Sequence, residues 1–322
     1  MPDTRRQLIG GAAAAPVAAA ALAQTGQPSL KGKSILITGA ASGFGHLGAL
    51  HYARSGARVI ATMRNLPRPE AEALRKAARD DKLDLHVVEL DVLSDDSVRH
   101  AVAEAERIAG GAIDVVINNA GIGIGGPVEL QDSEALRLMF ETNVHGYHRV
   151  ARAALPAMRR RTAGQLFFVS SQLGRVIAPN IGVYSATKFA VESMAEQLAY
   201  ELAPFGIEVT IIQPGGYPTA IWEKGARYTQ ALAARASDGV KAAYPELLRG
   251  ALGRTGGGST DPMDVPRAIA EIIALPAGQR PLRRAVHPGP KPQEPINDVS
   301  AQVQLRMLGN SPYGPWVRSV LS

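Results

Sequence analysis

The 322-residue chain contains no cysteine. Disulfides, thiolate nucleophiles and cysteine-based metal sites are therefore excluded, and the chain suits an oxidising compartment. It has no basic stripe interleaved with aromatics. The net charge of +6 is spread thinly, with short runs only at Arg159-Arg160-Arg161 and Arg283-Arg284. Both runs read as solvated faces or helix ends, so no nucleic-acid partner is expected. No apolar run is long enough for a membrane span, and no internal repeat or second domain is visible. His145 and His148 stand three apart with no third ligand near, which argues against a metal. What is present is 46% hydrophobic and 20% charged, an ordinary globular composition. The length fits one large α/β domain or two small ones, with a sizeable core.

Residues 1–28 read as an extension outside the core. Arg5-Arg6 precedes a modest alanine-rich run, and Ala21-Leu22-Ala23 puts small residues where a signal peptidase cuts. The twin arginine resembles a Tat signal, which implies export to the periplasm with a nucleotide already bound and no stable membrane insertion after cleavage. A disordered extension on a cytoplasmic protein is the alternative.

Ser34-Ile35-Leu36-Ile37-Thr38 reads as a buried strand running into Gly39-Ala40-Ala41-Ser42-Gly43-Phe44-Gly45, and a helical pattern follows to Ser55. Strand, glycine turn and helix together form a phosphate cradle: the glycines admit a pyrophosphate, and the helix N-terminus offers free N–H groups. The next strand ends at Thr62-Met63-Arg64. A carboxylate there would accept from an adenosine 2′-hydroxyl, but none is present, and a guanidinium pairs instead with a 2′-phosphate. NADP is therefore expected ahead of NAD. Asp91-Val92 closes the third strand, where Asp91 either holds the adenine amino group or caps the next turn. Asn118-Asn119-Ala120-Gly121 closes the fourth.

A buried-looking run, Gln165-Leu166-Phe167-Phe168-Val169, delivers Ser170 and Ser171, and the next helical pattern begins near Val183. Tyr184 and Lys188 are four apart, so a helix sets them on one face. A cation beside a phenol favours phenolate and lowers its pKa, which suits general acid–base work at an oxygen. A serine hydroxyl at the strand end would hold the same oxygen.

Taken together, Thr38-Gly39-x-x-x-Gly43-x-Gly45, Asp91, Asn118 to Gly121, Asn143, Ser171, Tyr184-x-x-x-Lys188 and Pro214-Gly215 resemble the classical short-chain dehydrogenase/reductase family, in its order and spacing over about residues 31–220. The resemblance implies a single α/β domain, a Rossmann-type doubly wound parallel sheet of about seven strands in the order 3-2-1-4-5-6-7 with helices on both faces. It implies Asn143, Ser171, Tyr184 and Lys188 as the catalytic set, with Asn143 opening its helix to hold a relay water. Ser171 is preferred to Ser170 because it stands thirteen residues before Tyr184. The cofactor would meet Gly39, Ser42, Gly43, Phe44, Gly45 and Arg64 at one end, and Asp91, Val92, Asn119, Ala120 and Gly121 along the cleft. Tyr184, Lys188, Pro214, Gly215 and Thr219 would surround its nicotinamide half.

The expected activity is NADP(H)-dependent interconversion of an alcohol and a ketone or aldehyde. A non-catalytic nucleotide-binding regulator, or an epimerase or dehydratase on the same fold, is the alternative. Residues 29–290 would form the domain. Within it, residues 216–262 would be a substrate lid hinged at Gly256-Gly257-Gly258, with Trp222, Tyr228 and Tyr244 suggesting an apolar or ring-bearing substrate. Residues 291–322 would be a tail over the surface or a neighbouring subunit, and the resemblance implies a homo-oligomer.

Overall fold

The computed structural model describes residues 28–254 and 256–321. The signal-like features at Arg5-Arg6 and Ala21 to Ala23 lie outside the described residues. In chain order the elements are β1 (Ser34–Ile37), α1 (Gly43–Arg54), β2 (Arg58–Met63), α2 (Pro69–Asp80), β3 (Leu85–Glu89), α3 (Asp95–Ala109), β4 (Val115–Asn118), α4 (Ser133–Phe140), α5 (Gly146–Arg161), β5 (Gly164–Val169), α6 (Tyr184–Leu202) and β6 (Ile207–Pro214). They continue as α7 (Ile221–Arg235), α8 (Asp238–Ala243), α9 (Pro245–Leu252), α10 (Asp264–Ala274), β7 (Arg283–Val286), α11 (Gln293–Leu308) and α12 (Gly314–Leu321).

The short apolar runs become one sheet of seven parallel strands, ordered β3-β2-β1-β4-β5-β6-β7. Parallel strands need covering on both faces, which is why they read as continuous apolar runs. The pleat then sorts alternate residues. Ile35 and Ile37 enter the core beneath α1, α2 and α10, whereas Leu36 enters the one beneath α3, α5 and α6. Phe167 and Phe168 divide in the same way, and each is fully buried. Burying such a side chain stabilises the fold by roughly 1.5–3 kcal/mol. The strand order reverses between β1 and β4, and a crevice opens there at the carboxyl ends of the strands.

The helix that carries Asn143 opens locally, as the resemblance implied: α4 ends at Phe140, a π-helical turn spans Glu141–His145, and α5 resumes at Gly146. The expected surface tail, residues 291–322, forms α11 and α12. Its prolines sit where helices tolerate them: Pro292 is the N-cap of α11, and Pro295 and Pro315 lie in first turns. Polar residues of α11 face the body, with Asn297 bonded to Gln213 and Gln304 to Glu196. The apolar Ile296, Val299, Val303 and Met307 face outward. That inverted pattern hid the helix. No helix among the described residues is long and apolar enough to cross a membrane.

Candidate active site

The glycine turn is locked to the tip of β4 before any ligand is considered. The Thr38 hydroxyl oxygen accepts the N–H groups of Asn119 and Ala120, each at 3.0 Å, and Asn119 Nδ2 donates to the Thr38 carbonyl at 2.8 Å. Gly39 and Gly43 have φ of +73° and +56°, a region that disfavours a side chain. A Cβ on Gly45 would lie 2.4 Å from the Gly39 carbonyl oxygen, so only glycine lets α1 start so close to β1. Ser42 caps α1 without a side-chain bond to that helix, and no acidic residue occupies the first turn. Free N–H donors at a bare helix N-terminus fit a dinucleotide pyrophosphate. Thr219 packs over this turn, its Cβ 3.3 Å from where a Gly43 Cβ would stand, and Phe44 meets Tyr217 edge-on with ring centroids 5.5 Å apart.

A cleft of about 570 Å³ runs from this turn to the end of β5. Its lining carries Arg64, Arg68, Lys188, Lys224 and Arg254 against a single carboxylate, Asp91. Arg64 is exposed at the end of β2, and Arg68 is held in a two-point pair with Glu70 at 2.9 and 2.8 Å. Asp91 accepts the Leu93 N–H at 3.0 Å, so it shapes its own turn, and its remaining oxygen borders the cleft. The Val92 carbonyl accepts from Arg149 at 3.2 Å. Pro214 and Gly215 follow from β6, and the ring of His287 packs against Gly215 so closely that a Cβ there would be 2.5 Å from it.

At the other end, Asn143, Ser171, Tyr184 and Lys188 come together from three elements. Asn143 is fully buried in the π turn. Its Oδ1 accepts the Ile122 N–H, and its Nδ2 donates to the Ile122 carbonyl, both at 2.9 Å, and to Thr187 Oγ1 at 3.1 Å. Lys188 Nζ donates to the Val169 carbonyl at 2.8 Å. It stands 5.6 Å from the centroid of the Tyr184 ring and 5.3 Å from that of Tyr147, within cation–π range. Ser171 lies close enough to Tyr184 to draw the phenol's pKa down, and Ser171 Oγ accepts the Leu173 N–H at 3.1 Å. Ser170 also borders the cleft, but its buried Oγ has no partner and lies 2.6 Å from where a Gly174 Cβ would stand.

The electrostatics differ from the expected lowering of the Tyr184 pKa. Burial pushes Tyr184 up to about 12, against a downward pull from Ser171. Burial also pushes Lys188 down to about 7, against an upward pull from Glu192. The reason is shared desolvation: the ammonium that was to tune the phenol is itself removed from water, and its Nζ is held by a backbone carbonyl.

Thr38, which opens the glycine motif, and Thr187, Tyr147 and the Val169 carbonyl, which no motif marks, hold the named residues. Arg68 stands four after Arg64, a spacing that was available to notice. Part of the cleft wall is built by α7 and α9, which contribute Trp222, Tyr228, Thr229 and Ala251, and Gln172 and Ile122 line the same cleft. Tyr244 instead lies at the surface, bonded to Glu129.

A short-chain dehydrogenase family model matches residues 33–228. The chain is 36% identical over 244 residues to the uncharacterized oxidoreductase YusZ of Bacillus subtilis, covering 74% of this chain and 84% of that one. It is 40% identical over 187 residues to the 3-ketodihydrosphingosine reductase of Bacteroides thetaiotaomicron, covering 58% and 64%. A Burkholderia phymatum short-chain dehydrogenase/reductase crystallised with NAD superposes with a TM-score of 0.67 at 24% identity, over 88% and 96% of the two chains. With this fold, cleft and match, the chain belongs to the short-chain dehydrogenase family. It is a hydride-transfer oxidoreductase that acts on CH–OH groups and their carbonyl partners.

Proposed function

We propose that the protein is an NADP(H)-dependent oxidoreductase that interconverts an apolar alcohol and its ketone or aldehyde, with Tyr184 as general acid and base. The observation that carries this is Tyr184 gathered with Ser171 and a buried lysine in the cleft that begins at the glycine turn. When bound, the nicotinamide supplies or accepts the hydride. Tyr184 gives its proton to the carbonyl oxygen in reduction and takes it from the hydroxyl in oxidation. Ser171 donates to the same oxygen, a donor in place before charge develops there. Lys188 steadies the phenolate and takes the nicotinamide ribose, and Asn143 fixes the Ile122 backbone and a relay water. Arg64 and Arg68 at the end of β2, with no carboxylate facing the ribose, support NADP(H) over NAD(H). Gly39, Gly43, Gly45, Asn119, Ala120 and Gly121 frame the dinucleotide.

The apolar lining from α7 and α9 supports a hydrophobic substrate, and a relative named for a ketosphingoid substrate is consistent with it. Residues 216–262 act as its lid. We further propose export by a twin-arginine route and homo-oligomer formation, to be checked by the mass of the protein from its host and by light scattering. The central test is absorbance at 340 nm with NADPH or NADH against a panel of ketones and aldehydes. Turnover with NADPH that disappears in Tyr184→Phe is expected. Undiminished turnover in that variant would remove Tyr184 from the mechanism.

A further inference from the structure

Lys224 belongs neither to the glycine turn nor to the catalytic corner. It rides on α7, whose Ile221, Trp222 and Tyr228 line the substrate side of the cleft. Yet its Nζ donates to Ser42 Oγ at 2.8 Å, across 182 positions of sequence, at the start of α1. Its nearest charged neighbours are Arg68 and Arg64, which repel it, and Glu70 and Glu223, which attract it. Glu70 is already engaged by both arms of Arg68. Among the described residues neither Lys224 nor Arg64 forms a salt bridge. Three cations from the end of β2, the start of α2 and the substrate-side helix therefore line one cleft, while the two nearby carboxylates, Glu70 and Glu223, are already paired with Arg68 and Arg227. Like charges gathered in this way oppose one another until an anion enters. The dianion that falls at the end of β2 in such a sheet is a phosphate on the adenosine ribose.

We infer that Lys224 is a phosphate latch: it pairs with the 2′-phosphate of NADP(H) and so draws α7 across the glycine turn, closing the substrate chamber only when the phosphorylated cofactor is bound. The inference rests on the NADP(H) preference proposed above. The pyrophosphate is the other phosphate within the cleft, but both cofactors carry it, which separates the two sources experimentally. The grouping of Lys224 with Arg64 and Arg68, at the β2 end and away from Lys188, favours the 2′-phosphate.

The test compares wild type with Lys224→Gln and Lys224→Arg by titrating NADPH and NADH and following intrinsic tryptophan fluorescence, with turnover left out. Lys224→Gln is expected to weaken NADPH about tenfold, leaving NADH within twofold, and Lys224→Arg to restore most of the loss. Proteinase K reports the lid: NADPH should protect residues 221–252 in wild type better than NADH does, and the difference should vanish in Lys224→Gln. Lys224 is exposed, so thermal melts should coincide. Equal weakening of both cofactors would move Lys224 to the pyrophosphate and overturn the latch, as would no weakening of either. A wild type that prefers NADPH and keeps that preference in Lys224→Gln sinks the latch alone. A wild type that binds both equally sinks the NADP(H) preference, and the latch with it.

Discussion

The two ends of the cleft are built in opposite ways. The catalytic corner is buried, and its polar side chains are held largely by backbone atoms: Lys188 by the Val169 carbonyl, Asn143 by both polar groups of Ile122. The substrate-side helices carry exposed, local ion pairs such as Arg227–Glu223 and Arg249–Glu246, which contribute little individually. A corner pinned to the sheet has one geometry and tolerates few residues. Pairs internal to α7 and α9 fix neither helix to the sheet, so that wall depends far less on particular residues.

This contrast is sharpest at Tyr184, where Tyr184→Phe should cut turnover at least about 10³-fold while leaving NADPH binding within twofold, read by steady-state rates and fluorescence titration. Ser171→Ala should lower turnover about 10²-fold. Ser170→Ala, one residue away, should lower it less than twofold, because the buried Ser170 hydroxyl has no partner and sits against Gly174. Equal losses at the two serines would erase the distinction drawn between them. Asn143→Ala removes three buried hydrogen bonds and should destabilise the protein by about 1–3 kcal/mol, measured by urea unfolding. Arg64→Asp should shift the ratio of NADPH to NADH affinity about tenfold toward NADH.

Lys188 yields the pH test. Burial lowers its folded pKa to about 7 from the ordinary lysine value of 10.5. Between those pH values the unfolded chain binds a proton that the folded chain does not, so stability rises with pH across that window. Below about 7 the penalty is present in full. Lys188→Met should therefore melt above wild type at pH 7, and the gap should close as pH approaches 10. The same variant should be inactive, a functional group kept at a cost in stability. A wild-type lysine that stabilises the fold at pH 7 would contradict the desolvation argument.

The sheet was legible because parallel strands announce themselves as apolar runs, and Ser34 to Thr38 and Gln165 to Val169 did so. The site residues at the strand ends were legible through spacing: Tyr184 with Lys188, and the glycines after β1. The π turn at Glu141–His145 was foreshadowed only by an asparagine at a position helices disfavour. The supporting atoms were not legible, because Val169 and Ile122 act through their backbones and any side chain would serve. The two helices of the tail were not legible because α11 turns its polar face inward, against the usual pattern. Tyr184 was misjudged electrostatically because sequence supplies the lysine but not the absence of water around it.

The Val169 carbonyl also accepts the Tyr147 hydroxyl at 3.1 Å, so one oxygen at the tip of β5 anchors both the lysine and the ring beneath it. Phe168 packs beside that ring, with centroids 6.1 Å apart, so trimming it would loosen a tuning peg set outside the cleft, and the pitch of the site would slip together with a fold that loses about 3–5 kcal/mol.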